Sequence, residues 1–270
     1  MMIEADLPAA GRRVYSLAAM IEADLYARLI VGVLLTAAVS ALALHFLSAP
    51  YGRHARGGWG PTMDTRHAWV VMESPAVLAF LAIFCAGSHA LEATPLVLAA
   101  MWQAHYLQRT FVFPFSMRPG GRTPVSVVAM GFTFNLINAY LNARWLSELG
   151  SYTDAWLYSP AFIIGLILFV TGYRINRWAD RVLAGLRRPG ETGYKIPRGG
   201  LYELVSCPNY FGELLEWTGF ALAAASLAGW TFVVFTAANL IPRALSHHRW
   251  YRQRFPDYPR GRKAVLPFLL

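Results

Sequence analysis

Apolar stretches long enough to cross a bilayer recur along this chain and are separated by short polar segments. A transmembrane helix needs about 20 apolar residues to span the hydrocarbon core. The last two of these stretches are nearly continuous and are joined by at most a tight turn near Ala228 and Gly229. The seven predicted spans are residues 29–47, 68–87, 94–115, 125–141, 156–173, 211–229 and 230–245. The pattern therefore predicts an all-α integral membrane protein with seven transmembrane helices.

The segments outside these spans predict a simple domain organisation. Residues 1–28 are of mixed polarity, and the first apolar run is too long for the core of a cleavable signal peptide. We expect residues 1–28 to form an N-terminal polar segment and residues 29–270 to form a single membrane domain. That domain includes a cytoplasmic loop at 174–208 and a C-terminal tail at 246–270.

The basic residues indicate how the chain is oriented. Lys and Arg accumulate in cytoplasmic loops of membrane proteins. Of the 24 Lys and Arg residues, 19 follow the first, third, fifth and seventh spans, and three lie on the opposite side. This asymmetry predicts an N-terminus outside and a cytoplasmic C-terminus.

Composition excludes several other classes. Hydrophobic residues make up 56% of the chain and charged residues only 14%, whereas soluble domains average about 25% charged residues. A disordered chain, a disulfide scaffold and a nucleic-acid-binding arm are therefore excluded, although the net charge is +9. No G-x-G-x-x-G motif occurs, which argues against a Rossmann domain.

A few features are expected to carry no function. The hexapeptide MIEADL at residues 2–7 recurs at 20–25, but it is too short for a structural repeat. Cys85 falls in an apolar run and is predicted to be a small core residue. Metal motifs such as H-E-x-x-H and C-x-x-C are missing from the sequence, and the adjacent His247 and His248 would point apart on a helix. We expect no metal site.

Ionisable residues within the predicted spans indicate a polar interior. Each costs about 2.5–3.5 kcal/mol at membrane depth on insertion scales, so each should face a cavity or a partner. The alternative is a buried pair between Arg109 and one glutamate that only fixes helix packing. Together with nearby Tyr and Asn residues, however, they favour a polar cavity inside the bundle. The residues are Glu73, His105, Tyr106, Arg109, Asn135, Asn138, Asn176, Glu213 and Glu216.

The loop after the fifth span carries a second signal. Between Arg187 and Gly200 it interleaves Tyr, Pro and Gly with basic residues, as a folded anion site does. Arginines that grip phosphate oxygens are natural ligands of a dinucleotide. An ordinary basic cytoplasmic loop with glycine turns is the alternative.

Several sequence blocks together resemble one known family. The C-terminal half contains IPRGGLY at 196–202, VSCPNYFGE at 205–213 and HHRWY at 247–251. The N-terminal half contains YGRH at 51–54, ESP at 73–75 and HYLQRTF at 105–111. From about residue 51 to its end, the chain resembles the steroid 5α-reductase family. The C-terminal block is also similar to other sterol reductases and to isoprenylcysteine methyltransferases, whereas the Glu73 and Tyr106 motifs point to the 5α-reductases.

The resemblance implies a membrane enzyme that uses NADPH to reduce the Δ4 double bond of a 3-oxo-Δ4-steroid. Hydride would add at C5, and the enolate would be stabilised at the 3-keto oxygen by the catalytic residues Glu73 and Tyr106. A tyrosine hydroxyl can donate to that oxygen, and a protonated glutamate can donate to it or polarise the tyrosine. The cofactor-binding residues are expected to be Arg109, Arg122, Asn176, Asp180, Arg187, Tyr194, Lys195, Asn209, Glu213, His247 and Tyr251. The substrate-binding residues are expected to be Tyr51, Trp69, Met72 and Phe134.

Two positions depart from the family pattern. Met72 stands where relatives of mammalian type often have Gln, a difference that bears on substrate and inhibitor preference. Lys195 stands where Arg is common, so a bidentate phosphate contact would become a point-charge contact.

Other expectations concern partners and location. An apolar steroid or related enone lipid can enter from the membrane between the first and fourth spans, whereas NADPH must come from the basic cytoplasmic face. We expect a monomer that contacts membrane lipids and no nucleic acid. Ala- and Arg-rich usage favours a bacterial inner membrane over an endoplasmic reticulum membrane.

The functional alternatives are an isoprenylcysteine carboxyl methyltransferase-like enzyme, which uses S-adenosylmethionine, and a non-enzymatic lipid transporter.

Overall fold

The computed structural model describes residues 9–187 and 191–270 and is mostly helical. The first MIEADL copy and residues 188–190 of the basic loop lie outside these ranges. Seven of the eight α-helices described are long, and each of the seven predicted spans overlaps one of them. The helices are α1 (Ala9–Phe46), α2 (Thr65–Cys85), α3 (Ala93–Phe111), α4 (Phe113–Ser116), α5 (Val125–Arg144), α6 (Pro160–Gly185), α7 (Pro208–Ala224) and α8 (Leu227–Arg254).

A two-stranded antiparallel sheet, which the sequence pattern did not predict, joins the starts of two helices. Strand β1 (Thr62–Asp64) pairs with β2 (Arg122–Pro124), and Met63 faces Thr123 in the register. Helix α2 follows β1 directly, and α5 follows β2. Asp64 also caps α2, because its carboxylate accepts hydrogen bonds from two N–H groups of the first turn. The sheet therefore starts α2 and α5 side by side.

Several helix boundaries differ from the predicted spans. Helix α1 runs without a break through the predicted boundary after residue 28. The third predicted span is divided, because α3 ends at Phe111 and Pro114 lies in the first turn of α4, where its missing N–H costs nothing. The fifth predicted span starts in a short 3₁₀ turn (Asp154–Tyr158) before α6.

The turn between the last two spans also lies earlier than predicted. Ala225 ends α7 in the left-handed region with a φ of 45°, and Ser226 caps α8 by accepting from the Gly229 N–H at 2.9 Å. The prediction of a turn at Ala228 and Gly229 is therefore wrong by about one turn of helix. Cys85 was also predicted wrongly, because it is exposed at the end of α2.

The outer surfaces of the helices are apolar. Leu35, Val39 and Leu42 on α1 are each more than 60% exposed, at 63%, 67% and 65%. By length and mean hydropathy alone, Ala19–Phe46, Thr65–Cys85 and Val125–Leu149 can cross a membrane. An apolar surface of this kind is stable in lipid and unstable in water. The chain is an integral membrane protein with helical spans.

Helices α6 and α7 pack closely through small residues. A Cβ added at Gly165 would lie 2.6 Å from the carbonyl oxygen of Gly219, so neither position has room for a larger side chain. Gly172 and Gly212 repeat this contact nearer the other end of the pair. The close approach fixes the register of α6 against α7 and brings their polar side chains together.

Candidate active site

Glu73 lies on α2 in a half-buried position next to α5. Asn135 of α5 donates from Nδ2 to Glu73 Oε2 at 3.1 Å and to the Met72 carbonyl oxygen at 2.9 Å. Two residues further on, Pro75 removes the N–H that would bond the Val71 carbonyl, and the Ser74 hydroxyl donates to that oxygen instead at 2.9 Å. The helix therefore continues past Pro75 while Asn135 orients the Glu73 carboxyl.

Tyr106 lies on α3 and is only 3% exposed. Its ring packs against Trp102 at 4.8 Å and Trp217 at 5.6 Å between ring centroids. The Glu73 carboxyl and the Arg109 guanidinium both lie within electrostatic range of its hydroxyl. The structure therefore brings the two predicted catalytic residues into one buried region.

A buried ion pair lies beside Tyr106. The Nδ1 atom of His105 lies 2.8 Å from Oε1 of Glu216, and the two side chains are 5% and 0% exposed. The His105 ring also packs on Tyr106 and Trp217, with centroid separations of 5.0 and 4.6 Å. Sequence analysis identified both residues as buried ionisable groups but assigned them no role. Their pairing joins α3 to α7 and supports the Tyr106 ring.

Arg109 contacts an aspartate and aromatic rings. Its Nη1 lies 3.6 Å from Asp180 Oδ2, which is an ion pair too long for a hydrogen bond. Its guanidinium stacks on Trp69 at 4.4 Å and on Phe113 at 4.3 Å. Among the ion pairs of the described chain, none joins Arg109 to a glutamate. Arg109 thus pairs with Asp180, while Glu213 and Glu73 lie within its electrostatic range.

Four predicted cofactor residues form a hydrogen-bonded chain that ends at the Asp180–Arg109 ion pair. Asn176 Nδ2 on α6 donates to the Asn209 carbonyl oxygen at 3.0 Å and to Glu213 Oε2 at 3.3 Å. Asn209 Nδ2 donates in turn to Asp180 Oδ1 at 3.1 Å. The close packing of α6 on α7 makes these contacts possible. We call the buried polar set the interior network; it consists of Glu73, His105, Tyr106, Arg109, Asn135, Asn176, Asp180, Asn209, Glu213 and Glu216.

A cavity of about 270 Å³, here called the outer cavity, lies between the loop after α1 and the C-terminal part of α8. Its lining includes three predicted site residues, Tyr51, Tyr194 and His247. Of the YGRH motif, only Tyr51 was predicted to be a site residue. Arg53 and His54 of the same motif also line the cavity, as does Arg243 of α8. Only the tertiary packing of the loop after α1 against α8 brings these residues together.

Arg53 is held by aromatic residues. Its guanidinium lies 5.3, 4.8 and 4.6 Å from the ring centroids of Tyr194, Trp250 and Tyr251, and Nη2 donates to the Tyr251 hydroxyl at 3.3 Å. Its buried Nη1 has no hydrogen-bond partner among the described residues. Arg243 lies between the rings of Tyr51 and Tyr210, at 5.2 and 5.3 Å.

Two histidines of the outer cavity contact each other. His54 Nε2 lies 3.2 Å from His247 Nδ1, and their rings stack at 5.2 Å. His247 follows the seventh predicted span, which ends at residue 245. Burial, followed by Arg53, Arg243 and His54, lowers the pKa of His247 to about 2. Burial and the neighbouring arginines also lower the pKa of His54. Both rings are neutral at pH 7, and the positive charge of the cavity resides on arginines.

Tyr210 connects the two regions. It is the neighbour of Asn209 on α7, and its hydroxyl lies 3.3 Å from His247 Nε2. The outer cavity and the interior network therefore meet along one helix. His248 points away from His247 and contacts the Ser206 hydroxyl at 2.6 Å, as expected for adjacent helical residues.

The remaining predicted site residues have different surroundings. Arg187 donates to the Gly193 carbonyl oxygen at 2.8 Å and stacks on Tyr194, so it borders the outer cavity. Lys195 pairs with Glu191 at 2.5 Å. Arg122 binds Thr62 across the strand pair through its backbone oxygen and its hydroxyl.

The predicted substrate residues are not all neighbours. Trp69 and Met72 lie on α2 with Glu73, and Met72 packs against Gly131 of α5. Phe134 instead stacks on Phe235 of α8 at 3.6 Å. Tyr51 lies in the outer cavity with residues predicted to bind the cofactor.

The chemistry of these groups fits a dinucleotide. Asp180 Oδ2 and Arg53 Nη1 are buried polar atoms without a hydrogen-bond partner in the described chain, so each can take one from a ligand. Carboxylates accept hydrogen bonds from ribose hydroxyls, asparagine side chains hydrogen-bond a carboxamide, and arginines bind phosphates. Fold and site together define a helical membrane protein with an enzyme-like polar interior.

Comparison with known proteins identifies the family. A family model described as 3-oxo-5-alpha-steroid 4-dehydrogenase matches residues 121–270. Steroid 5-alpha-reductase DET2 of Arabidopsis thaliana is 46% identical over 238 residues, which cover 85% of this chain and 91% of that protein. 3-oxo-5-alpha-steroid 4-dehydrogenase 1 of Bos taurus is 47% identical over 232 residues, covering 84% and 90%. The human protein of the same name is 44% identical over 221 residues, covering 81% and 85%.

The chain therefore belongs to the steroid 5-alpha-reductase (3-oxo-5-alpha-steroid 4-dehydrogenase) family, and the resemblance inferred from its motifs is confirmed. Family membership decides against the methyltransferase and transporter alternatives. These relatives come from a plant and from mammals and give no support to a bacterial origin.

Proposed function

We propose that this protein is an NADPH-dependent oxidoreductase that reduces the Δ4 double bond of a 3-oxo-Δ4-steroid. The observation that carries the proposal is that the Glu73 carboxyl lies within electrostatic range of the buried Tyr106 hydroxyl, in a chain 46% identical to a steroid 5-alpha-reductase. The two residues lie on neighbouring helices and face an apolar, aromatic interior. This arrangement suits a flat apolar ligand with one polar end.

Tyr106 acts as the oxyanion donor. When hydride adds to C5 of the enone, negative charge moves to the 3-keto oxygen, where a hydroxyl placed in advance stabilises it. The aromatic rings of Trp102 and Trp217 and the His105–Glu216 pair prevent the Tyr106 side chain from turning away. Burial keeps water from competing for the hydrogen bond.

Glu73 supports the same oxygen. Asn135 occupies Oε2 of its carboxyl group, which leaves Oε1 for the ketone or the Tyr106 hydroxyl. A proton on Oε1 donates to the developing enolate directly or strengthens donation from Tyr106. Asn135, one of the polar residues of the predicted spans, is thus a positioning residue.

The interior network and the outer cavity provide the groups for the cofactor. NADPH, when bound, supplies the hydride. Asn176, Asn209 and Glu213 offer partners for a carboxamide, and Asp180 offers an acceptor for hydroxyls. The arginines of the outer cavity, with His247 and Tyr251, offer partners for phosphates. Arg187 and Lys195, in the basic loop, are placed to read the additional phosphate that distinguishes NADPH from NADH.

We further propose that all seven long helices cross the membrane, with the basic ends of α6 and α8 in the cytoplasm. The 19-to-3 distribution of basic residues supports this orientation. The only observation that supports a bacterial inner membrane is the Ala- and Arg-rich composition of the chain. A monomer suffices, because the groups assigned to the reaction lie on one chain.

A reconstituted assay tests the proposal. Purified protein in lipid vesicles is mixed with NADPH and a 3-oxo-Δ4-steroid, and products are identified by mass spectrometry. We expect NADPH oxidation that matches a product heavier by two hydrogens, reduced at C4–C5. A 3-hydroxy steroid without the ketone is the control and should not react. NADPH oxidation without steroid reduction, or no turnover of any 3-oxo-Δ4-steroid, would contradict the proposal.

A further inference from the structure

One face of α6 changes from aliphatic to cationic along its length. Ile163, Ile167 and Val170 are 45%, 59% and 45% exposed, and on the same face they are followed by arginines. Spacings of three and four residues place all of these side chains in one stripe. The stripe consists of Ile163, Ile167, Val170, Arg174, Arg177 and Arg181.

This stripe points away from the rest of the protein. Gly165 and Gly172 on the opposite face of α6 contact the backbone of α7. Asn176 and Asp180 point toward the interior network, at 3.3 Å from Glu213 and 3.6 Å from Arg109. The stripe therefore faces the surroundings of the bundle, and its aliphatic half can only be covered by lipid chains in a membrane.

A cleft of about 650 Å³ lies at the cationic half. Its arginines are on α6, and its other wall is the 3₁₀ turn Gly200–Glu203. Gly200 has a φ of +50°, and a Cβ there would lie 2.8 Å from the Trp178 ring, so the turn packs directly on that ring. The cleft is thus a formed feature between two packed elements.

The three arginines have no ion-pair partner among the described residues. Arg174 and Arg181 are exposed and Arg177 is half-buried. The hydrogen bond from Arg181 Nε goes to the Arg177 carbonyl oxygen at 3.3 Å, which leaves the other guanidinium donors free. Over the seven residue steps from 174 to 181, the charges extend about 10 Å along the helix axis. Three unpaired guanidinium groups in one cleft favour an anion with several oxygens.

Tyr173 and Trp178 place the cleft at a membrane surface. Both residues line it, Tyr173 as the last residue of the fifth predicted span and Trp178 five residues further on. Tyr and Trp are enriched where acyl chains meet headgroups. Basic residues at the cytoplasmic surface attract anionic lipid, each contributing about 1 kcal/mol.

We propose that the α6 stripe is a binding site for one anionic glycerophospholipid. Its acyl chains lie along Ile163, Ile167 and Val170, and its phosphate lies in the cleft between Arg174, Arg177 and Arg181. A free phosphate would use only the cationic half. The continuous change from aliphatic to cationic on one face is the feature that favours a lipid. The site is separate from Asn176 and Asp180, the α6 residues assigned to NADPH, which point toward the interior network.

Lipid titration with charge-matched variants tests this site. Protein in a neutral detergent is titrated with dioctanoyl phosphatidylglycerol or dioctanoyl phosphatidylcholine, and bound lipid is measured by native mass spectrometry. The test variant carries Arg174→Gln, Arg177→Gln and Arg181→Gln. The control removes the same charge from three exposed arginines through Arg252→Gln, Arg254→Gln and Arg260→Gln.

We expect the test variant to bind phosphatidylglycerol about tenfold or more weakly, and the control to bind it as the unchanged protein does. Phosphatidylcholine should bind weakly to all three proteins. Size-exclusion profiles and melting temperatures show whether the variants fold. Should the test variant not fold, the single changes Arg174→Gln and Arg181→Gln at exposed positions replace it, each with a loss of about threefold.

Three outcomes would overturn the proposal. Equal weakening in the test and control variants would mean attraction to charge in general. Competition by glycerol 3-phosphate as strong as that by the lipid would identify a site for soluble phosphate. Displacement of the lipid by NADPH would place the cleft within the cofactor site.

Discussion

The interior network and the outer cavity balance their charges in opposite ways. The interior network contains four carboxyl groups, on Glu73, Asp180, Glu213 and Glu216, against Arg109 and His105. The outer cavity is lined by arginines and by histidines that stay neutral. An acid-rich, hydrogen-bonded interior suits a neutral ligand with donors and a polar end, whereas a cationic cavity suits phosphates. We therefore assign the reaction to the interior network and the binding of most of the cofactor's charge to the outer cavity.

Changing Tyr106 should have the largest effect. Tyr106→Phe removes one oxyanion donor while keeping the ring, so we expect kcat to fall about 10²–10³-fold. NADPH affinity, measured by fluorescence titration, should stay near that of the unchanged protein, because the outer cavity is intact. Tyr26→Phe is the control: Tyr26 is also buried and donates to the Leu141 carbonyl oxygen at 2.9 Å, but it lies outside both regions. Equal loss of turnover in the two variants would remove Tyr106 from the mechanism.

Breaking the buried pair of His105 and Glu216 should reduce the stability of the fold. Glu216→Leu leaves His105 without its partner in the interior, and we expect the free energy of unfolding to fall by about 3 kcal/mol. Asp24→Leu breaks the exposed Asp24–Arg28 pair and should cost less than about 0.5 kcal/mol. Chemical unfolding in detergent measures both losses. If both variants are equally stable, the His105–Glu216 pair does not hold α3 against α7.

A change at Arg187 should separate cofactor from substrate. Because Arg187 borders the outer cavity, Arg187→Ala should raise KM for NADPH about tenfold and leave KM for the steroid nearly unchanged. The preference for NADPH over NADH should shrink in this variant or in Lys195→Ala. Arg252→Ala, at an exposed position beyond both regions, should change neither constant. A similar rise in both KM values for Arg187→Ala would mean that the loop is only structural.

Acid should weaken the outer cavity. The unfolded chain binds a proton on His247 below its ordinary pKa of 6.5, while the folded chain resists protonation down to about pH 2. The stability contributed by the neutral ring is therefore complete above about pH 6.5 and decreases as the pH falls below it. Melting temperatures between about pH 8 and pH 5 should decline, and His247→Gln should flatten the decline. An unchanged slope in that variant would show that His247 does not cause the acid sensitivity.

Local patterns predicted much of this fold. The long apolar stretches correspond to helices because lipid requires internally bonded backbones. The turn after α7 was misplaced because Ala225 takes a left-handed conformation that glycine normally adopts, and Gly229 lies nearby. The strand pair escaped prediction because three residues per strand are too few for an alternating pattern.

The sequence predicted which residues belong to the site better than it predicted which of them contact each other. Ionisable groups at membrane depth identified His105 and Glu216, but these are 111 positions apart, and only tertiary packing shows that they meet. The alternative for Arg109 named a glutamate partner, whereas its ion pair is with Asp180, which lies beyond the fifth predicted span. Arg53 stands in the YGRH motif without an assigned role, and Arg243 lies in none of the quoted motifs. Both become site residues only when the loop after α1 reaches α8.

In the proposed mechanism, the Glu73 carboxyl, held by Asn135, helps Tyr106 stabilise charge on the ketone. Glu73→Gln keeps the shape and removes the acidic proton. The single-turnover rate with a 3-oxo-Δ4-steroid, with NADPH already bound, measures this contribution. We predict a rate about 10²-fold lower, with NADPH affinity and melting temperature close to those of the unchanged protein. A rate within about twofold of the unchanged protein would contradict the claim.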